Sequence, residues 1–393
     1  MYLHRSITSY FNKVCQHFAA VLITGPRQSG KSTFLLENRE SSAYVTFDDP
    51  LNREFAVQDP NGFLNQFDTT PVILDEIQYV PGLLQYIKIR IDRDRTPGKW
   101  IMTGSQQFHL MKDISETLAG RIAVLELAPF DYRELKTKFN RSLENIIWTG
   151  LFPEPACYPD IRETWLRSYL QTYMERDIRR LEAIKNFRAF EMFITLCAAF
   201  HSQEFHAADL ARECGVSQPT VKSWSRLIEA SYLGITLQPF YKNYGKRLIK
   251  SPKFYFSDPA IVCYLTRQPS MAAAMSGNMG GPLFEGFIIA EAFKTFYHVG
   301  KRPPLYFWRS KGGLELDLII EAGNKLWPVE IKLTATPTAK HGASLNRFKK
   351  LALDDAADTG IIVCRVREKK HLPNGNIAIP WTEFPGVLQT MIR

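Results

Sequence analysis

The chain is poor in the features that mark secreted, membrane-spanning and zinc-bound proteins. Its 393 residues hold six cysteines, at 15, 157, 197, 214, 263 and 364, and no two form a CxxC pair. No His/Cys group has zinc-site spacing, which argues against a structural zinc, and reduced thiols in a cytoplasmic protein are expected. Long apolar runs are missing as well. The longest, Phe187 to Phe200, carries Arg188 and Glu191 and is too short to cross a bilayer, so no membrane partner is expected. The N-terminal MYLHRSITSYFNKV has no apolar centre of signal-peptide type. Repeats and low-complexity tracts are absent, and Met271 to Gly281 reads as the one linker, small and Gly-rich.

What remains is an ordinary globular composition, 45% hydrophobic and 23% charged, of a length that suits two or three domains. The net charge is +9 and the isoelectric point about 9.1. That basic excess is compatible with a nucleic-acid partner without establishing one.

Ala20 to Thr24 (AVLIT) has the pattern of a buried strand and runs directly into GPRQSGKS. This matches GxxxxGK[ST] at every fixed position, which marks a phosphate loop. Gly25, Pro26, Arg27, Gln28, Ser29, Gly30, Lys31, Ser32 and Thr33 are the expected ATP-binding residues. The glycines let the backbone curl so that its N–H groups face phosphate oxygens. Lys31 is expected to reach the β/γ-phosphates, Ser32 to ligate Mg²⁺, and the helix starting near Lys31 to add its N-terminal dipole. The apolar strand of PVILDE ends in two acids: Asp75 for the Mg²⁺ shell and Glu76 to orient and deprotonate water. A third strand, Lys99 to Thr103, leads to Thr103 and Ser105, either of which can contact the γ-phosphate or attacking water; a plain polar strand end is the alternative. Ala43 to Phe47 and Ile122 to Leu127 complete a parallel sheet of about five strands. Arg121 precedes the last one. It is placed either to reach a neighbouring subunit's γ-phosphate, in a homo-oligomer, or to make a surface ion pair.

GPRQSGKST, LDEIQ, TGSQQF and LAGR, in this order and spacing, resemble a widespread prokaryotic family of predicted AAA+-superfamily ATPases. Members pair this ATPase with a C-terminal domain of unknown function. YLHR at Tyr2, YMERDI at Tyr173 and FEGFI at Phe284 look like further family landmarks, so the resemblance covers nearly the whole chain. It implies a P-loop ATPase of the additional-strand-catalytic-glutamate type with Glu76 as base, and leaves the cellular role unassigned.

In the middle, Ala211, Gly215 and Val221 fall at helix-turn-helix spacing, with Ser217 as N-cap and Pro219 in the first turn. Strands at Tyr232 to Leu237 and Lys253 to Phe256 would flank a wing in which Lys242, Lys246, Arg247, Lys250 and Lys253 meet no acid. A winged helix is expected, with Lys222, Arg226, Lys246, Arg247 and Lys250 as candidate DNA contacts; a lid or packing module is the alternative. Trp165 to Ile184 reads as a long amphipathic helix, in which Arg176 and Asp177 either report nucleotide state or form an internal pair.

Towards the C-terminus, an apolar helix, Phe284 to Phe296, carries Glu285. LELDLIIEAGNKLWPVEIKL follows, two apolar runs with acids on alternate positions. Gly323-Asn324 suits a two-residue hairpin loop, which sets Asp317 opposite Glu330 and Glu315 opposite Lys332. Opposed acids cost stability, and a cation between them would remove that cost. An acidic helix residue, then Asp, then Glu-x-Lys resembles the PD-(D/E)xK nuclease superfamily. The resemblance implies Glu285, Asp317 and Glu330 as metal ligands and Lys332 as catalytic lysine. It departs at Leu316, where the superfamily often has Pro.

The expected fold is therefore α/β: an AAA+-like P-loop domain over 1–165, a helical linker and winged helix over 166–270, and a restriction-endonuclease-like domain over 282–393. The expected function is Mg²⁺-dependent ATP binding and hydrolysis coupled to DNA. The alternative is an ATP-driven switch for protein partners with an inactive C-terminal domain.

Overall fold

The computed structural model describes residues 2–104, 117–174, 184, 186–241, 251–310 and 312–392. Five strands form the first sheet: β1 Ala20–Thr24, β2 Ala43–Thr46, β3 Val72–Asp75, β4 Trp100–Gly104 and β5 Ile122–Glu126. All neighbours are parallel, in the order β2-β3-β4-β1-β5. β1, β3 and β4 are buried along their whole length, which is why they read as unbroken apolar runs rather than alternating ones. Leu22, Leu74 and Met102 face one core with Leu84 and Ile87 of the helix Leu83–Arg93. Ile23, Ile73 and Ile101 face the other, with Phe11 of Thr8–Cys15 and Phe34 of Lys31–Asn38. Each such side chain contributes about 1.5–3 kcal/mol by leaving water. The result is a rigid sheet whose strand ends carry the phosphate loop.

The middle of the chain places the helices Ala207–Cys214 and Gln218–Ala230 around Gly215, whose φ of +65° makes the turn. Ser217 Oγ accepts the Thr220 N–H, and Val221 is fully buried. Two antiparallel strands follow, β6 Gly234–Pro239 and β7 Lys253–Phe256. The C-terminal strands are β8 Leu305–Arg309, β9 Glu315–Ala322, β10 Lys325–Ile331, β11 Ile361–Cys364, β12 Lys370–His371 and β13 Ile377–Pro380.

These two regions share one sheet. β6 pairs in parallel with β8 at Gln238 and Tyr306, so the sheet has eight strands in the order β12-β13-β11-β10-β9-β8-β6-β7. One continuous core runs from Leu3 through Trp224 to Ile392. The expected linker at Met271 to Gly281 is corrected accordingly. Met271–Ser276 is a helix with Ala274 buried, and Gly280 opens the helix Gly280–Tyr297. A Cβ at Gly280 would stand 2.2 Å from the Met275 carbonyl oxygen, so these small residues serve close packing rather than flexibility. Of the long helix expected from Trp165, the described part is Arg162–Thr172; Arg176 and Asp177 lie outside the described residues. Among the described residues no helix is long and apolar enough to cross a membrane.

Candidate functional site

The phosphate loop needs its glycine at position 25. Gly25 has φ +148°, and a Cβ there would lie 2.2 Å from the Leu127 carbonyl oxygen. Gly30, at φ +89°, caps the helix Lys31–Asn38 in the left-handed region. The Lys31 ammonium turns back over the loop and donates to the carbonyls of Gly25 (3.2 Å) and Pro26 (2.9 Å).

Below the loop, hydroxyls bond Asp75, the last residue of β3, and the backbone of Glu76 after it. Asp75, 4% exposed, accepts from Ser32 Oγ at 2.9 Å, Tyr44 Oη at 2.7 Å and Thr103 Oγ1 at 2.5 Å. Burial, and then the bond to Asp75, push the Tyr44 phenol well above its ordinary value, so it stays a donor. Thr103 Oγ1 also accepts the Glu76 N–H at 2.9 Å. Glu76 itself adopts φ +59°, a left-handed backbone rare for glutamate, and its carboxylate accepts from the Gln78 amide. Such local strain is held only where surrounding bonds impose it.

Two expected site residues are bonded within the chain. Thr103 is fully buried, and its hydroxyl donates to Asp75 and accepts the Glu76 N–H. Arg121 makes a two-pronged bond to Asp92 of its own chain, at 2.5 and 3.2 Å, which is the surface-pair alternative. Ser105 lies outside the described residues.

Sequence reasoning gave no role to Arg5, within YLHR. Arg5 is 2% exposed and donates to the carbonyls of Ser29 (2.9 Å) and Ala128 (2.5 Å) and to Glu134 (3.0 Å). It therefore fixes the floor of the loop. Glu134 and Asp131 form the capping box of the helix Tyr132–Lys136, with buried His298 beside them. Among the described residues, this trio is the one His/Cys/Asp/Glu group whose ligand atoms lie within 4.8 Å of one another. It does not suit a metal. The two ring nitrogens face different acids, at 3.5 and 3.9 Å, and both acids already accept from Arg5, Ser6, Arg133 or backbone N–H groups. The group is an ion network joining the loop to the helix Gly280–Tyr297.

The middle region also reaches the loop. Tyr232 Oη donates to Thr24 Oγ1 at 2.7 Å, one residue before Gly25, and the Tyr232 carbonyl accepts from Ser257 Oγ at 2.7 Å. A cavity of about 260 Å³ opens there, lined by Pro26, Glu126, Glu229, Tyr232 and Tyr297 among others. Burial raises both glutamates above their ordinary range.

The C-terminal acids are arranged differently from expectation. The hairpin register is as anticipated: Gly323 and Asn324 both have φ near +60° (59° and 58°), and pairing runs from Ala322–Lys325 to Leu318–Val329. Past that last pair, the Asp317 and Glu330 carboxylates both meet the Lys332 ammonium. However, β9 holds one extra residue against β8, since Tyr306 pairs Ile319 while Trp308 pairs Leu316. This bulge at Asp317–Leu318 breaks the alternation, so Leu316 and Ile319 face one core and Leu318 and Ile320 the other. Glu315 therefore pairs with Lys253 of β7, not with Lys332.

Lys332 bridges the opposed acids instead, 3.1 Å from Asp317 and 2.6 Å from Glu330. Asp317 also accepts the Ile331 N–H at 2.8 Å, and Glu330 accepts from Ser344 Oγ at 2.6 Å. Burial, then the Asp317 charge, push the Glu330 carboxyl up to about 7. An ammonium and a partly protonated acid thus relieve the like-charge cost assigned above to a metal. Glu285 accepts from Lys253 Nζ at 3.0 Å and Tyr255 Oη at 2.7 Å. Glu285, Asp317 and Glu330 do not converge on one point, and two ammonium groups stand on their oxygens. In this arrangement the residues do not fit the divalent metal that the nuclease resemblance implies.

Of the candidate DNA contacts, Lys222 and Arg226 are exposed on the helix Gln218–Ala230, while Lys246, Arg247 and Lys250 lie outside the described residues.

Residues 17–136 match a family described as an AAA domain. Residues 140–272 and 280–384 match two domains of unknown function, the second being DUF4143. An uncharacterized protein of Mycobacterium tuberculosis is 29% identical over 356 residues, covering 89% of this chain and 77% of its own. An uncharacterized protein of Methanocaldococcus jannaschii is 23% identical over 392 residues, covering 89% of this chain and 85% of its own. Among solved structures, a Walker-type ATPase of Pyrococcus abyssi aligns at 14% identity and a TM-score of 0.43, over 66% of this chain and 94% of that one. The N-terminal part is an AAA-type P-loop ATPase domain.

Proposed function

We propose that the protein binds and hydrolyses ATP and uses the cycle to shift its middle and C-terminal regions relative to the phosphate loop. The observation that carries this is the bonded set Ser32–Asp75–Thr103–Glu76 beneath a glycine loop, on one end of a parallel sheet. Loop N–H groups and Lys31 would receive the phosphates, with Arg5 keeping the loop's shape. Ser32 and Asp75 are hard oxygen donors in mutual contact, a fit for Mg²⁺, which when bound neutralises phosphate charge. Glu76 would orient the attacking water and take its proton, and Thr103 would hold Glu76 in place through its backbone.

Coupling is supported by the direct bond from Tyr232 to Thr24 and the shared network around Arg5, Asp131 and His298. A change at the loop reaches the middle region through contacts of this kind. A trans role for Arg121 would require it to leave Asp92. The test is steady-state phosphate release with Mg²⁺ and ATP. Turnover that disappears in Lys31→Ala supports the reading; turnover unchanged in that variant defeats it.

The exposed Lys222 and Arg226 on a helix-turn-helix, in a chain of net charge +9, favour DNA as the partner on which the cycle acts, through a winged-helix module. Anisotropy with a labelled duplex, at varied salt, checks this. Lys222→Ala with Arg226→Ala should weaken binding and flatten the salt slope by about 2 if both meet phosphates. Binding that is indifferent to both would point to a protein partner instead.

A further inference from the structure

The cavity of about 260 Å³ beside Tyr232 is walled by groups from all three regions of the chain. Glu126, the last residue of β5, comes from the ATPase domain, and Glu229 from the helix Gln218–Ala230. Phe293 and Tyr297 come from the helix Gly280–Tyr297, one turn apart, with ring centroids separated by 6.3 Å. Tyr232 supplies a third ring. Its φ of +62° is rare for an aromatic residue, and the bonds to Thr24 and Ser257 hold it there.

The two glutamates lack a cation. Burial raises both carboxyls; Arg302 acts on Glu126 and Arg226 on Glu229 only through space, and Glu229 takes a hydrogen bond from Thr236. Among the described residues neither glutamate forms an ion pair. Lys294, the ammonium on the wall, is committed to the Phe130 carbonyl at 2.8 Å and to Glu291 at 3.0 Å. Burial, and then the Glu126 charge, push the Tyr232 and Tyr297 phenols well above their ordinary value, so both rings stay neutral. Neutral rings attract a cation through their faces, and buried carboxylates pair with its N–H groups. A bare metal ion suits the wall less well: among the described residues, neither glutamate belongs to a group of three ligand atoms within 4.8 Å of one another.

We infer that this cavity binds a small organic dication, a diamine or an amino-guanidine, whose two charges match Glu126 and Glu229 and whose chain lies against the rings of Tyr232, Phe293 and Tyr297. Such a ligand would tie the middle and C-terminal regions to the phosphate loop, because Pro26 lines the same cavity. It is a second ligand, distinct from the nucleotide, and does not depend on ATP being hydrolysed.

The test is calorimetric titration of the full chain with 1,4-diaminobutane and with agmatine, which carries a guanidinium in place of one amine. One equivalent should bind, with or without ATP present. Butylamine, with a single charge, should bind at least about 10-fold more weakly, and uncharged 1,4-butanediol should not bind measurably. Glu126→Gln and Glu229→Gln should each weaken diamine binding by about 10- to 100-fold. Tyr297→Leu should cost about 3- to 30-fold, while Tyr297→Phe, which keeps the ring, should behave as wild type. Binding should also release protons from the buried acids, seen as heat that varies with the ionisation enthalpy of the buffer. No saturable binding of either dication, or binding indifferent to both glutamine changes, would overturn the inference. Mutual exclusion of ATP and the diamine would give the cavity to the nucleotide and overturn it as well. Should the variants fail to fold, equal binding of diol and diamine by wild type does the same.

Discussion

Thr103→Val tests the arrangement beneath the phosphate loop most sharply, because the two side chains have nearly the same shape. Thr103 is fully buried, so packing is retained while two hydrogen bonds are removed. Asp75 keeps donors in Ser32 and Tyr44, so its loss is modest. The Glu76 N–H has the Thr103 hydroxyl as its acceptor, and leaving such a group unpaired costs about 1–3 kcal/mol. A destabilisation of roughly 2 kcal/mol follows, readable by urea unfolding. The larger effect should be kinetic. Thr103 helps to hold the left-handed backbone of Glu76, and relaxation would displace the carboxylate from the attacking water. Turnover should fall roughly 10- to 100-fold, with ATP affinity nearly unchanged. Thr103→Ser keeps the hydroxyl and should restore most of the rate. If Thr103→Val matched wild type in both unfolding and turnover, the positioning role would be wrong.

Further expectations follow from the same geometry. Arg5→Met leaves the Glu134 carboxylate buried without its guanidinium and should destabilise the protein by about 3–5 kcal/mol, seen as a lower urea midpoint. Gly25→Ala drives a Cβ into the Leu127 carbonyl and should weaken ATP binding by about tenfold or more in calorimetric titration. Glu330 titrates near 7 in the folded chain against an ordinary 4.5. Between those values the folded state binds the extra proton, so stability is greater at the acid end and falls as pH rises to 7. The fall should be on the order of 3 kcal/mol, and Glu330→Gln should flatten it in urea unfolding at stepped pH.

The parts of the molecule that were legible in the sequence are those whose signals are local. The phosphate loop, the buried strands and the turn at Gly215 each show in a window of ten residues or so. Gly323-Asn324 likewise set the hairpin register, since two positive φ angles suit few other residues. What was illegible depends on residues far apart in the chain. Nothing near Arg5 announces Ser29, Ala128 and Glu134, and nothing near Lys253 announces Glu285 and Glu315. The bulge at Asp317–Leu318 is set by pairing with β8, which no pattern within β9 reveals. That single residue moved Glu315 from Lys332 to Lys253. The Met271 to Gly281 stretch misled for a related reason: small residues signal flexibility or close packing, and only the neighbouring chain decides which.

The central claim is that Glu76 is the base for ATP hydrolysis, and Glu76→Gln tests it most directly. Single-turnover phosphate release, with ATP binding measured in parallel, should slow by about 100-fold or more while ATP stays bound. A Glu76→Gln protein that hydrolyses ATP at the wild-type rate would contradict the account.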